Sequence, residues 1–303
     1  MKVLVTGRAI PTQPDRCTGQ QLALGFQEAG HEAVFYGNFY GQPYRFLGAK
    51  EAVSEKFDLV VVTEINDGMP GYQSLFSHHN LNDVPMLYWD FDVSYHPERS
   101  CALAASYNPH AYLVGNKQWV DNPQLIGSLP SLFLPYACSP SIHRRLSNVE
   151  RENLVGFVGS ITAEREKLLE KVHVVTGAFG EDLIMETNKL GAMIHVNQDA
   201  CAGLVPGRPF ETTGCGTPLI CFDQQSYEDF TDLLPDFLHE HVFCLEGDVQ
   251  KIDDWIDTWK DEDLMLEKVG LELMEYMHKE HSYRKRAESI IEFVETQGLL
   301  DED

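Results

Sequence analysis

Within Asn197–Leu219, which reads NQDACAGLVPGRPFETTGCGTPL, Arg208 and Glu211 stand three residues apart at the start of an expected short helix. Backbone N–H groups at a helix start point outward, and an arginine beside them favours a phosphate. A carboxylate on the same first turn can accept two hydrogen bonds from a sugar diol. Together these groups point to a pocket for a nucleotide-sugar. The same residues also read as an ordinary helix start, with Pro209 near the first position and Glu211 favouring the dipole. Gly214 and Gly216 would then be an ordinary C-terminal stop.

The flanking residues say what positions this helix. The apolar run Ala192–Val196 leads in and Pro218–Phe222 leads out, giving strand, polar loop, helix, tight glycine turn, strand. Strands are also expected at Met1–Thr6, Glu32–Tyr36, Phe57–Thr63, Pro85–Trp89 and Ala111–Val114, with a helix over Thr18–Ala29. Near-continuous apolar strands separated by helices indicate a parallel sheet covered on both faces. Ligands of such sheets bind at the carboxyl ends of the strands. Here those ends carry Gly7-Arg8, Glu64–Asp67, Asp90–Asp92 and Gly115–Lys117. The pattern loosens between Leu134 and Glu150, so the expected domains are 1–148 and 149–303. In the second, strands are expected at Leu154–Val158, Met193–Val196, Leu219–Phe222 and His241–Leu245. A charged helix covers Ala163–Val172, and a helical region interrupted by turns covers Val249–Gln297. The expected fold class is α/β, two Rossmann-like doubly wound parallel-sheet domains facing a cleft.

Two such domains, with Glu211 five positions before Gly216 and then Thr217-Pro218, resemble the GT-B glycosyltransferases. The second half is similar to the branch related to spore-maturation proteins. Gly156-Phe157-Val158-Gly159-Ser160 with Arg165 resembles its F-V-G-S…R opening, and Asn197 with Arg208-Pro209-Phe210-Glu211 its N…R-x-F-E. Cys215-Gly216 resembles the C-G that closes the helix, and His281-Ser282-Tyr283 with Arg286 its H-[ST]-Y-x-x-R. The resemblance implies a donor site of Gly159, Ser160, Arg165, Asn197, Arg208, Phe210 and Glu211. Glu211 would bind the ribose hydroxyls, Arg208 and Arg165 would face the diphosphate, and Gly159-Ser160 would admit the donor close to the backbone. His281, Tyr283 and Arg286 read better as braces for the terminal helix. Many retaining members carry a second glutamate eight positions before the helix glutamate. Gly203 stands there, which leaves Asp199 as the nearest carboxylate and leaves the stereochemistry open.

Glycosyl transfer needs the leaving diphosphate stabilised, which fixed positive groups and helix N-termini do without a metal. An inverting enzyme also needs a base for the acceptor proton. Asp90 and Asp92, with His96 close behind, are the candidates, and Glu64 is a weaker one. The alternatives are a turn-capping Asp90 with a solvated Asp92, or a D-x-D metal site. No metal and no cofactor beyond the nucleotide-sugar co-substrate is expected. The segment Phe35–Phe46 holds six aromatics among glycines. Its Tyr40, Tyr44 and Arg45 could contact an acceptor by stacking, or the segment could simply pack.

Composition limits the partners. The 303 residues carry a net charge of -24, of which residues 1–150 hold only 10 Lys+Arg against 14 Asp+Glu. So acidic a chain binds nucleic acid and anionic membrane poorly. The near-neutral first half keeps an acceptor base in DNA open beside a saccharide or small molecule. A non-catalytic nucleotide-sugar-binding protein is the other alternative, prompted by Gly203. No apolar run is long enough to span a bilayer, and no signal peptide is seen at Met1–Val5. Seven scattered cysteines without a C-x-x-C pair suit a reducing cytoplasm.

Overall fold

The computed structural model describes residues 1–9, 17–39, 46–47, 55–63, 81, 83–91, 93, 97–120, 122, 129–170, 172–197 and 202–300. The chain divides into two compact units, Met1–Pro135 with Tyr283–Asp303, and Tyr136–Ser282. This division differs from the expected boundary of 148/149. The residues up to Glu150 fold with the second unit, and the last helix folds with the first.

The first unit is built on β1 (Lys2–Ala9), β2 (Glu32–Phe39), β3 (Phe46–Leu47), β4 (Leu59–Thr63), β5 (Met86–Asp90), β6 (Ala111–Val114) and β7 (Ser131–Phe133). They form one seven-stranded sheet in the order β3-β2-β1-β4-β5-β6-β7. All neighbours are parallel except β2 and β3. The Leu-Val-Val-Val run of β4 is wholly buried, as a central strand covered on both faces requires. Helices α1 (Thr18–Glu28) and α2 (Pro97–Tyr107) complete the alternation.

The second unit contains β8 (Glu152–Val158), α3 (Ala163–Leu168), β9 (His173–Val175), α4 (Glu181–Lys189), β10 (Leu190–His195), α5 (Gly207–Gly214), β11 (Leu219–Cys221), α6 (Gln224–Thr231) and β12 (Val242–Cys244). The long helices α7 (Lys251–Trp259) and α8 (Asp263–Glu280) follow. Its sheet is five-stranded, all parallel, in the order β12-β11-β10-β8-β9. The glycine turn after α5 is as expected. Gly216 has φ +72, and the Thr217 N–H reaches back to the Thr212 carbonyl at 3.2 Å, closing the helix end.

The expected helical tail resolves into α7, α8 and α9 (Tyr283–Thr296). α9 packs on α1 of the first unit. Its Ala287, Ile290 and Val294 are fully buried, and the Arg286 Nε donates to the Pro135 carbonyl at 2.8 Å. Gly25 of α1 makes this approach possible, since a Cβ there would overlap the Tyr283 backbone. Among the described residues, no helix is long and apolar enough to cross a membrane.

Candidate functional site

The strand order of the second unit reverses between β8 and β10: β8 is followed in the sheet by β9, and β10 by β11. In an open parallel sheet the loops leaving two such strands diverge and leave a crevice at their carboxyl ends, which is where ligands bind. The residues that leave this point are Gly159-Ser160 after β8 and Val196-Asn197 after β10. Three of the seven expected donor residues, Gly159, Ser160 and Asn197, therefore fall at one edge, and Arg165 and Arg208 supply its cations.

Three helices start from this edge, and their first turns differ. α3 is capped by Thr162, whose side chain accepts from the Arg165 N–H at 3.3 Å. α6 is capped by Asp223, which accepts from Ser226 N–H at 2.8 Å. α5 follows Pro206, has no side-chain cap and has no acidic residue in its first turn. Its second residue is Arg208, a cation at the end of the helix that already carries positive potential. Such an N-terminus is electrostatically incomplete and suits an anion.

Glu211 is the fifth residue of α5 and so lies beyond the first turn, which corrects the sequence expectation; the helix begins at Gly207 after Pro206 rather than nearer the glutamate. One helical turn on from Arg208, it accepts from the Arg208 Nη1 at 2.7 Å, and both side chains stay partly exposed. Phe210 between them is fully buried, its ring 6.3 Å from that of Phe230 and 5.9 Å from that of His281. A side chain so placed cannot touch a ligand; its role is to seat the helix.

Arg165 serves the site differently from Arg208. Its guanidinium lies over the Phe157 ring, 5.5 Å from the centroid. Nη1 donates to the Ser160 carbonyl at 3.1 Å and Nη2 to the Val196 carbonyl at 2.7 Å. One side chain thus ties together the segments leaving β8 and β10. Gly159 leaves room for this, since a Cβ there would stand 3.1 Å from the Phe157 ring. Asn197 adds a buried Oδ1 with no hydrogen-bond partner among the described residues, an acceptor that suits a donor group.

His195, at the end of β10, was not singled out from the sequence. It is buried, and its pKa is lowered to about 4, first by burial and then by Arg165, with Asp223 acting against and Arg208 adding to the depression. The imidazole is neutral at pH 7, and both arginines raise the potential at this strand end. A lone histidine in an apolar run gives no sequence signal of that neighbourhood.

Gly203, where a second glutamate would stand, has φ +79, and its N–H donates to Asp229 Oδ2 at 2.9 Å. The backbone is left-handed there, so a glutamate would be strained in this loop as well as absent from it. Asp199 lies outside the described residues.

The structural reading of the terminal motif fits its contacts. The His281 Nε2 pairs with the Leu233 carbonyl at 2.9 Å, the Cys138 N–H donates to the His281 carbonyl at 3.0 Å, and Tyr283 and Arg286 are buried. In the first unit, Asp90 ends β5 and is 3% exposed, close enough to Tyr112 and Cys101 to hold both acids above their ordinary range, after burial itself. Asp92, His96, Glu64, Tyr40, Tyr44 and Arg45 lie outside the described residues. Among the described residues, no group of three or more His, Cys, Asp or Glu is placed to hold a metal ion.

The comparisons with known proteins meet this geometry at the same residues. Residues 149–292 match the family model described as glycosyl transferase-like. The whole chain takes the GT-B fold of several solved structures. One is an alpha-glucosyltransferase in complex with UDP and a 13-mer DNA, with TM-score 0.63, 10% identity, and coverage of 98% of this chain and 100% of that one. Another is a glycosyltransferase of avilamycin A biosynthesis, with TM-score 0.60, 12% identity and 98% coverage of both chains. A third is the Anabaena protein HepE in complex with UDP-glucose, with TM-score 0.57, 11% identity, and coverage of 98% of this chain and 100% of that one. No curated protein matches the chain in sequence.

Proposed function

We propose that this glycosyltransferase moves a sugar from a nucleoside diphosphate donor to an acceptor hydroxyl, without a metal ion. The observation that carries the reading is α5: an uncapped, acid-free helix N-terminus with Arg208 held on it, at the strand reversal of the glycosyl transferase-like region. As the glycosidic bond breaks, negative charge builds on the diphosphate. The α5 N–H groups and Arg208 would take that charge, fixed in place before the reaction starts. Glu211 would accept from the ribose hydroxyls, and the Oδ1 of Asn197 from a further donor group. Arg165 would shape the crevice, because its terminal nitrogens already bind backbone carbonyls.

UDP is the first donor nucleotide to try, since UDP or UDP-glucose accompanies two of the structures of the same fold. For the acceptor we favour an uncharged saccharide or small molecule. A base in DNA is the competing acceptor, supported by the fold likeness to the DNA-bound enzyme and opposed by the net charge of -24. The base for the acceptor proton would come from Asp90, Asp92 or His96, and an acceptor contact from Tyr40, Tyr44 or Arg45. The thiols of Cys215 and Cys221 are buried and held well above their ordinary range by that burial, as suits a cytoplasmic chain without disulfides at these positions. A thermal-shift screen of UDP-, GDP-, ADP- and CMP-sugars tests the donor reading. One nucleoside diphosphate sugar is expected to raise the melting temperature by a few degrees through mass action. No shift with any of them would overturn it.

A further inference from the structure

The Arg208–Glu211 pair is oriented against the helix that carries it. In an isolated helix the favourable order puts the acid nearer the N-terminus and the base nearer the C-terminus, where each complements the dipole. α5 does the reverse, with Arg208 second and Glu211 fifth. Helix stability therefore does not account for the pair. The 2.7 Å contact fixes one corner of the guanidinium, Nη1, on Glu211 Oε2. A guanidinium carries five N–H donors in a rigid plane, so fixing one corner sets the direction of the rest. Without that contact Arg208 would be a long side chain on a helix end that repels it, free to swing away into solvent.

We infer that Glu211 is a positioning residue for Arg208, holding the guanidinium over the uncapped start of α5, so that its contribution to donor binding persists when the ligand has no ribose hydroxyls. This deepens the donor reading and rests on it. A glutamate that acted only through the ribose would matter only to a ligand that has the diol. A glutamate that aims Arg208 matters also to the diphosphate, and only while Arg208 is present.

The test is a double-mutant cycle on the full-length chain, measured by calorimetry. The ligands are the nucleoside diphosphate that binds best among UDP, GDP, ADP and CDP, and its 2′,3′-dideoxy form. Glu211→Ala is expected to weaken the dideoxy ligand on the order of tenfold, as for two contacting residues that couple strongly. In the Arg208→Ala background the same change is expected to have no further effect on that ligand. Glu211→Gln, which keeps a side-chain oxygen for Arg208, is expected to restore part of the dideoxy affinity, a rescue that mere loss of helix stability would not give. Glu211→Leu, which keeps bulk and removes every oxygen, takes the place of the alanine variant in the cycle should that variant not fold. The inference is overturned if Glu211→Ala leaves dideoxy affinity unchanged while weakening the parent ligand, or if it weakens the dideoxy ligand equally with and without Arg208. In either case the donor site stands. If the wild-type chain binds no nucleoside diphosphate, the donor reading falls and the inference with it.

Discussion

Arg208 and His195 are the residues on which the electrostatics of the site turn. The depressed pKa of His195 has a consequence for stability. The ordinary value is 6.5 and the folded value is about 4, so between these pH values the unfolded chain binds the proton and the folded chain does not. Stability from this group is complete above pH 6.5 and is lost as the pH falls toward 4, by about 3 kcal/mol in all. His195→Phe, which keeps an aromatic ring and removes the titration, is expected to flatten this limb. Urea midpoints of both proteins at pH 4.5, 5.5 and 7.5 check it. Parallel curves for the two would show that His195 charges as easily folded as unfolded. The arginine and glutamate of this site were legible from the sequence because R-P-F-E stands at a helix start. The clamp made by Arg165 was not, because carbonyl partners on Ser160 and Val196 leave no mark in residue types.

At the scale of elements, α5 differs from α3 and α6 in what its N-terminus lacks. Thr162 and Asp223 cap their own helices, and Pro206 cannot. If the missing cap is the place of the donor diphosphate, supplying one should trade binding for stability. Pro206→Asp places an acceptor at the cap position, whose φ of -69 an aspartate adopts readily. Melting should rise by an amount worth about 1 kcal/mol, and nucleoside diphosphate affinity should fall. Higher stability with unchanged affinity would show that the diphosphate binds elsewhere. The strands of both sheets were readable in advance because apolar runs such as Leu59–Val62 and Ala192–Val196 are long enough to be buried on both faces. The short edge strands β7 and β9, three residues each, are half open to solvent and gave no such run. Glu211 was expected about two residues nearer the helix start, because helix boundaries depend on where Pro206 ends the extended chain, which periodicity does not fix.

For the whole molecule, chain order and folding unit part company at the C-terminus. Tyr283–Asp303 comes last yet belongs with Met1–Pro135, because α9 buries its apolar face on α1. The sequence placed this helix in the second domain, since nothing in its own pattern says which apolar face it will meet. Deleting residues 283–303 is therefore expected to unfold the first unit and spare the second. Hydrogen exchange should rise in β1 and α1 and stay slow in β10 and α5. Fast exchange in β10 first would refute the assignment.

The central claim is that Arg208 on α5 stabilises the leaving nucleoside diphosphate. The most direct measurement is release of nucleoside diphosphate from the nucleotide-sugar that stabilises the chain, with EDTA present, for wild type and Arg208→Ala. Wild type should turn over without a metal. The variant should lose about a hundredfold or more in kcat, the size seen when one fixed charge-stabilising donor is removed. Equal kcat for the two proteins, or turnover only after a divalent metal is added, would contradict the account.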